Sequence, residues 1–174
     1  MSLELVPASE VEGAVCEEVK PEEAEKLEEV ANEMIEICKR DGGAGLSAPQ
    51  VGIKKRMLVW CYDGRNFEIV FNPTFYRTDG GKRYTQEGCL TYPSEVYKMR
   101  RWKNIGAIYF AWNGEEFIKR TKKLRRIPAI IYQHEFDHLN GKTIKMDGVF
   151  LRKKTEEEMK INMEALEDAD KQQE

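Results

Sequence analysis

Between residues 21 and 40 the apolar side chains Leu27, Val30, Met34, Ile37 and Cys38 recur at helical spacing. Pro21 stands in a first-turn position, Glu22 and Glu23 follow it, and Lys39 and Arg40 close the segment before Asp41-Gly42-Gly43. Acidic residues at the start and basic ones at the end suit the helix dipole, so this stretch predicts a helix with its apolar face in the core. The period then changes. Residues 56–62 carry the run MLVWCY and stop at Asp63-Gly64, and residues 67–72 form a second run ended by Pro73. Residues 82–88, 104–112 and 116–120 read as further strands, turned by Gly80-Gly81 and Asn113-Gly114. Asn-Gly between two strand-like runs is the best hairpin signal in the chain. A second helix is predicted over 128–140, with Pro128 at its start and Gly141 past its end. After Thr155 and three glutamates, Met159, Met163 and Leu166 give the tail only a thin apolar stripe. The expectation is an α+β fold of mostly antiparallel sheets packed around the second helix. Residues 1–154 would form one catalytic domain, and 155–174 a charged, helical C-terminal tail.

Composition narrows the partners. The chain has 174 residues, 41 % of them hydrophobic, which is enough for one domain with a full core. Its net charge is −3, with acidic and basic residues nearly balanced, so bulk charge points to neither a membrane nor a sequence-specific nucleic acid. The basic cluster Lys119, Arg120, Lys122, Lys123, Arg125 and Arg126 reads first as a solvated loop and helix entry. Contact with a polyanion such as ribosomal RNA is the alternative. No stretch approaches the ~18 apolar residues of a bilayer span, and residues 1–12 lack the pattern of a secretory signal. A cytoplasmic location is expected. Cys16, Cys38 and Cys61 read as free thiols; Cys89 reads differently.

The chemistry gathers in Gln133-His134-Glu135-Phe136-Asp137-His138. The only two histidines lie four apart on a predicted helix, which puts both imidazoles on one face where they can grip one ion. Glu135 projects to the flank of that face, within reach of a water but outside the ligand set. Such a pair can also be ordinary polar-face residues. Cys89, in Glu87-Gly88-Cys89-Leu90 at the end of a predicted strand, offers a soft third ligand. One thiolate and two imidazoles leave a fourth position open, which is the catalytic pattern, and they suit Fe(II), Zn(II), Ni(II) or Co(II). A third segment, Gly43-Ala44-Gly45-Leu46-Ser47-Ala48-Pro49-Gln50, would let a bound backbone approach closely, and Gln50 offers an amide donor. Alone it is a glycine-rich turn. Ile130 and Ile131 lie about one turn before His134 and Ile127 about two; they read as a greasy wall for a substrate side chain, or as core. Asp137 reads as a partner for a ligand imidazole or for local backbone.

Together these three segments resemble the three signature motifs of the peptide deformylase family, in order and in separation: residues 43–50, Glu87-Gly88-Cys89-Leu90-Thr91, and residues 133–141. The resemblance covers residues 21–150. It implies that Cys89, His134 and His138 hold one divalent ion, Fe(II) in the cell, with zinc, nickel or cobalt able to replace it. It implies Glu135 as general base and acid, and Gln50 and the backbone N–H of Leu90 as oxyanion donors. Backbone around Ala44, Gly45 and Gly88 would pair with the substrate as with an added strand, and Glu87 would form a buried ion pair with Arg101. The implied reaction removes the formyl group from formyl-methionyl peptides or nascent chains and releases formate. A transient ribosome contact is the one further partner considered. Ser47 stands where alanine is usual and Thr91 where serine is usual; both are small and neither is a proposed ligand. Two other readings stay open: a zinc peptidase of the HExxH type, and a catalytically silent metal-binding module associated with translation.

Overall fold

The computed structural model describes residues 2–159. A single helical turn, α1 (Ala8–Val11), precedes α2 (Pro21–Arg40), the helix expected from the apolar spacing. At the start of α2 the Lys20 backbone N–H donates to Glu23 Oε2 at 3.0 Å and the Glu23 N–H donates to Lys20 O at 3.0 Å, and the helix buries Ala24, Leu27, Ala31, Met34, Ile37 and Cys38. Next come β1 (Gly45–Ser47), a 3-10 turn (Ala48–Val51), β2 (Met57–Trp60), β3 (Glu68–Arg77), β4 (Lys82–Cys89) and β5 (Tyr92–Trp102). They are followed by β6 (Asn104–Trp112), β7 (Phe117–Arg125), α3 (Arg126–Leu139), α4 (Ile144–Asp147) and β8 (Val149–Lys153). The strands form two antiparallel sheets, in the orders β1-β2-β3-β6-β7 and β4-β5-β8.

The larger sheet is covered on both faces. In β2, Met57 and Val59 pack with Leu27, Met34 and Phe71 toward α2, whereas Leu58 and Trp60 pack with Val70, Ala129 and Tyr132 toward α3. This explains why β2 is an unbroken apolar run rather than an alternating one. Helix α3 therefore lies between the two sheets. Gln133 ties it to the smaller one: its amide donates to Trp102 O and accepts from Trp102 N, both at 2.9 Å. Arg56 Nη1 donates to Leu139 O at 3.3 Å and meets the carbonyls freed at the helix C-terminus. The α+β fold with α3 at its centre stands as the pattern suggests.

Several details differ from the sequence reading. Pro73 does not end β3. The register shifts between Phe71 and Thr74, and Asn72 takes φ 49°, so a bulge carries the proline out of the hydrogen-bond ladder. The Asn72 side chain anchors that bulge, accepting from Val19 N at 2.8 Å and donating to Val19 O at 2.9 Å. β7 continues to Arg125, past the expected end at residue 120, so Lys119 to Arg125 lie on a strand at the sheet's edge and not in a loop. β5 and β8 were not foreseen. Of the expected tail, Thr155 donates to Glu158 Oε2 from its backbone, and everything past Met159 lies outside the described residues. No helix among the described residues is long and apolar enough to cross a membrane.

Candidate metal centre

Strand alternation sets up one half of the site. Thr85, Glu87 and Cys89 are the buried positions of β4, and Lys82, Tyr84, Gln86 and Gly88 point outward. A register shift between Glu87 and Cys89 then turns the chain sharply, pairing Cys89 with Tyr92. The other half comes from α3, where Gln133, His134, Glu135 and His138 are all buried. The four-residue spacing stacks the two imidazoles with ring centroids 4.9 Å apart.

Ligand atoms of Cys89, His134 and His138 lie within 4.8 Å of one another. Cys89 Sγ is 3.4 Å from His138 Nε2. An ion about 2.3 Å from sulfur and about 2.0–2.1 Å from nitrogen, in tetrahedral geometry, requires roughly 3.5 Å between those two donors. The residues therefore fit a divalent ion. Each imidazole is also oriented from behind: His134 Nδ1 lies 2.9 Å from Glu87 Oε1, and His138 Nδ1 lies 3.0 Å from the Lys142 carbonyl. With those protons on Nδ1, both Nε2 lone pairs point inward. Burial pushes the Cys89 thiol up, but the imidazoles of His138 and His134 outweigh it and hold the thiol well below its usual range.

Glu87 is the hinge between ligand and scaffold. Arg101 grips it with both prongs, Nη2 to Oε1 at 2.8 Å and Nε to Oε2 at 2.9 Å. Asp137 pairs with the third guanidinium nitrogen, Nη1. Burial would raise the Glu87 carboxyl; the hydrogen bonds from His134 and Arg101 override it and bring the carboxyl down to about 2.

Glu135 is buried beside the ligands and belongs to neither histidine's support. Ser47 Oγ lies 2.7 Å from Glu135 Oε2 and 2.9 Å from Glu135 O. That leaves Oε1 against Gly45. Burial pushes the Glu135 carboxyl above its usual range, against the pull of both imidazoles and the Ser47 hydroxyl. Gln50 accepts from Ser47 N at 2.9 Å, which aims its amide nitrogen at Thr91 Oγ1, 3.1 Å away, and at Cys89 Sγ, 3.6 Å away.

A cleft of about 250 Å³ opens onto these groups, lined among others by Gly43, Ala44, Gly45, Gly88, Leu90, Ile130 and Ile131. It runs between β1, the last strand of one sheet, and β4, the last strand of the other, so each offers an unpaired edge to whatever enters.

A family model described as polypeptide deformylase matches residues 8–157. The chain belongs to the peptide deformylase family. It is 37 % identical over 117 residues to the peptide deformylase of Thermotoga neapolitana, covering 67 % of this chain and 69 % of that one. The crystal structure of the peptide deformylase from Thermotoga maritima matches with a TM-score of 0.73 at 30 % identity, over 84 % of this chain and 97 % of that one. That of the Plasmodium falciparum peptide deformylase matches with a TM-score of 0.74 at 30 % identity, over 95 % and 94 %.

The structure brings together Cys89, His134, His138, Glu135, Gln50, Leu90, Ala44, Gly45, Gly88, Ile130 and Ile131 around one cleft, with Glu87 also in its lining and Arg101 behind Glu87. It does not bring Ile127 there. Ile127 lies in the first turn of α3, which begins at Arg126 directly after β7, and its side chain is 67 % exposed and outside the cleft lining. Asp137 supports neither imidazole directly; it reaches a ligand only through Arg101 and Glu87. Ser47, passed over in the sequence as merely small, holds the Glu135 carboxylate. Lys142 was also missed, although Gly141 after the helix was a sign that the chain turns back toward His138.

Gly45 packs closely against Glu135. A Cβ there would sit 2.7 Å from Glu135 Oε1 and 2.8 Å from its Cγ. Gly45→Ala should therefore push the carboxylate aside and lower kcat by about 10²-fold, the typical cost of misplacing a reacting group by an ångström. Metal analysis of the same preparation should show no loss of ion. A normal kcat would mean that Glu135 has room to yield.

Proposed function

We propose that residues 1–154 hydrolyse the formyl group from the N-terminus of formyl-methionyl peptides or nascent chains, releasing formate and a free amine, with 155–174 an appended tail outside the chemistry. The observation that carries this reading is a three-donor site with a buried carboxylate, Glu135, beside it but outside its ligand set, facing a cleft between two unpaired strand edges. When bound, a divalent ion in this donor set supplies Lewis acidity and lowers the pKa of a water at its open position. Fe(II) is the ion proposed, with zinc, nickel or cobalt as replacements. Glu135 takes the water's proton through Oε1, while Ser47 keeps Oε2 fixed, and then returns it to the leaving amine. The Gln50 amide and the Leu90 backbone N–H stabilise the oxygen on which charge develops. The substrate backbone adds as a strand along Ala44, Gly45 and Gly88, and its first side chain, methionine, lies against Ile130 and Ile131.

A cytoplasmic location and a transient ribosome contact through the basic edge strand β7 belong to the same reading. The zinc-peptidase alternative is disfavoured by the source of the third ligand, an upstream strand cysteine rather than a downstream glutamate or histidine. The test is an assay of formate and free amine from formyl-Met-Ala-Ser, run beside acetyl-Met-Ala-Ser and unformylated Met-Ala-Ser. Formate should appear in step with free amine from the first peptide alone. Cleavage of an internal peptide bond would favour the peptidase, and no turnover by metal-loaded protein would favour the silent module.

A further inference from the structure

Six ionisable side chains line the cleft: Asp41, Glu87, Cys89, His134, Glu135 and Lys154. Five of them are engaged. Asp41 pairs with Arg40 at 3.0 Å, Glu87 with Arg101 and His134, Cys89 with His138, and Glu135 with Ser47. Lys154 is the one lysine or arginine in the lining, and no salt bridge to its ammonium forms among the described residues. Its stem is nevertheless held. The Lys154 backbone N–H donates to Ser94 O at 2.8 Å, and the side chain lies half-buried over Gly88, with Cε and Nζ each 3.3 Å from where a Cβ on Gly88 would stand. A cation on a flexible stem, fixed at its base and laid across a substrate-facing glycine, is placed to meet something negative that arrives with the substrate.

We propose that Lys154 is a specificity residue that recognises a carboxylate on the peptide, two to three residues from the formyl group. This rests on the deformylation proposed above. The formyl carbon must sit by Cys89 and Glu135, so the chain passes Gly88 as it leaves the ligands. An extended peptide advances about 3.3 Å per residue, which brings its second or third residue beside the ammonium. The carboxylate is either an acidic side chain there or the free C-terminus of a tripeptide; the chemistry of recognition is the same. Asp41 does not oppose it, because Arg40 neutralises that charge. A partly exposed ion pair of this kind contributes about fivefold to binding, and salt screens it.

Initial rates on C-terminally amidated peptides test this without the terminal carboxylate: formyl-Met-Glu-Ala, formyl-Met-Ala-Glu, formyl-Met-Ala-Gln and formyl-Met-Ala-Lys amides. The non-amidated formyl-Met-Ala-Ala against its amide isolates the C-terminal source. Wild type should favour at least one carboxylate-bearing member over its neutral counterpart by about fivefold in kcat/KM, through KM, with the preference shrinking as salt rises. Lys154→Met should level the pair, Lys154→Glu should turn the preference toward the lysine peptide, and Lys154→Arg should keep it. Equal kcat/KM on every pair in wild type, or a preference that survives in Lys154→Met, would overturn the assignment while leaving deformylation standing. No formate from any peptide would overturn both.

Discussion

Glu135→Gln should leave the protein folded and its metal content unchanged while lowering kcat by about 10²–10⁴, the usual contribution of a general acid–base group. Glutamine matches glutamate in size, and its amide oxygen can still accept from Ser47 Oγ, so the packing around α3 should hold. What is lost is the capacity to take a proton from water and return it to the amine. The loss should fall on kcat, with KM moving far less, because Glu135 contributes little ground-state binding in this account. Steady-state kinetics beside metal analysis read both quantities. Near-normal turnover would assign the proton transfer to another group, and loss of the ion with the activity would make Glu135 a ligand.

The second large effect belongs to a residue that touches no substrate atom. Glu87→Gln should destabilise the protein by about 3–5 kcal/mol, the usual cost of breaking a buried ion pair from one side, because the Arg101 guanidinium keeps only Asp137. It should also weaken metal binding by about 10–100-fold through the loss of the carboxylate behind His134. The pair has a pH signature with a definite sign. The carboxyl stands at about 2 in the folded chain against 4.5 for an ordinary glutamate. Its contribution is therefore whole above pH 4.5 and disappears as the pH falls from there toward 2. Urea unfolding across pH 7 to 3, with a chelator present so that ion release adds nothing, should show wild type losing stability in that window and Glu87→Gln losing much less. Parallel acid limbs would mean that the ion pair is not what the acid breaks.

What the sequence disclosed was mostly local. α2 and α3 are legible because their apolar spacing and end signals are written within twenty residues, and β6 because the Asn-Gly turn marks its end. β5 is not legible: one of its buried positions is Arg101, a charge that goes inside only because Glu87, fourteen residues earlier, is there to meet it. β8 gives no alternation because all five of its residues are exposed on the edge of the smaller sheet. Pro73 misleads because the bulge that excuses it depends on Asn72 reaching back to Val19. The same division runs through the site. His134, Glu135 and His138 declare themselves by spacing, and Cys89 by being the soft ligand they lack. Ser47 could not be read, since its partner lies 88 residues away and nothing in a small hydroxyl names a distant carboxylate. Ile127 misleads in the opposite direction: periodicity puts it on the metal-facing stripe, but in the first turn of α3 that position is exposed and outside the cleft lining.

The claim on which everything else depends is that Cys89, His134 and His138 hold one ion and Glu135 does not. Cobalt substitution tests it directly, because a thiolate bound to Co(II) produces an intense near-ultraviolet charge-transfer absorption that imidazole and carboxylate ligands do not. Titration of metal-free protein with Co(II) should bring up that band to an endpoint of one ion per chain. Glu135→Gln should give the same band and endpoint, whereas Cys89→Ser should lack the band and bind cobalt weakly, since a protonated hydroxyl is a poor ligand for such an ion. A band that persists in Cys89→Ser, or one that disappears in Glu135→Gln, would contradict the assignment.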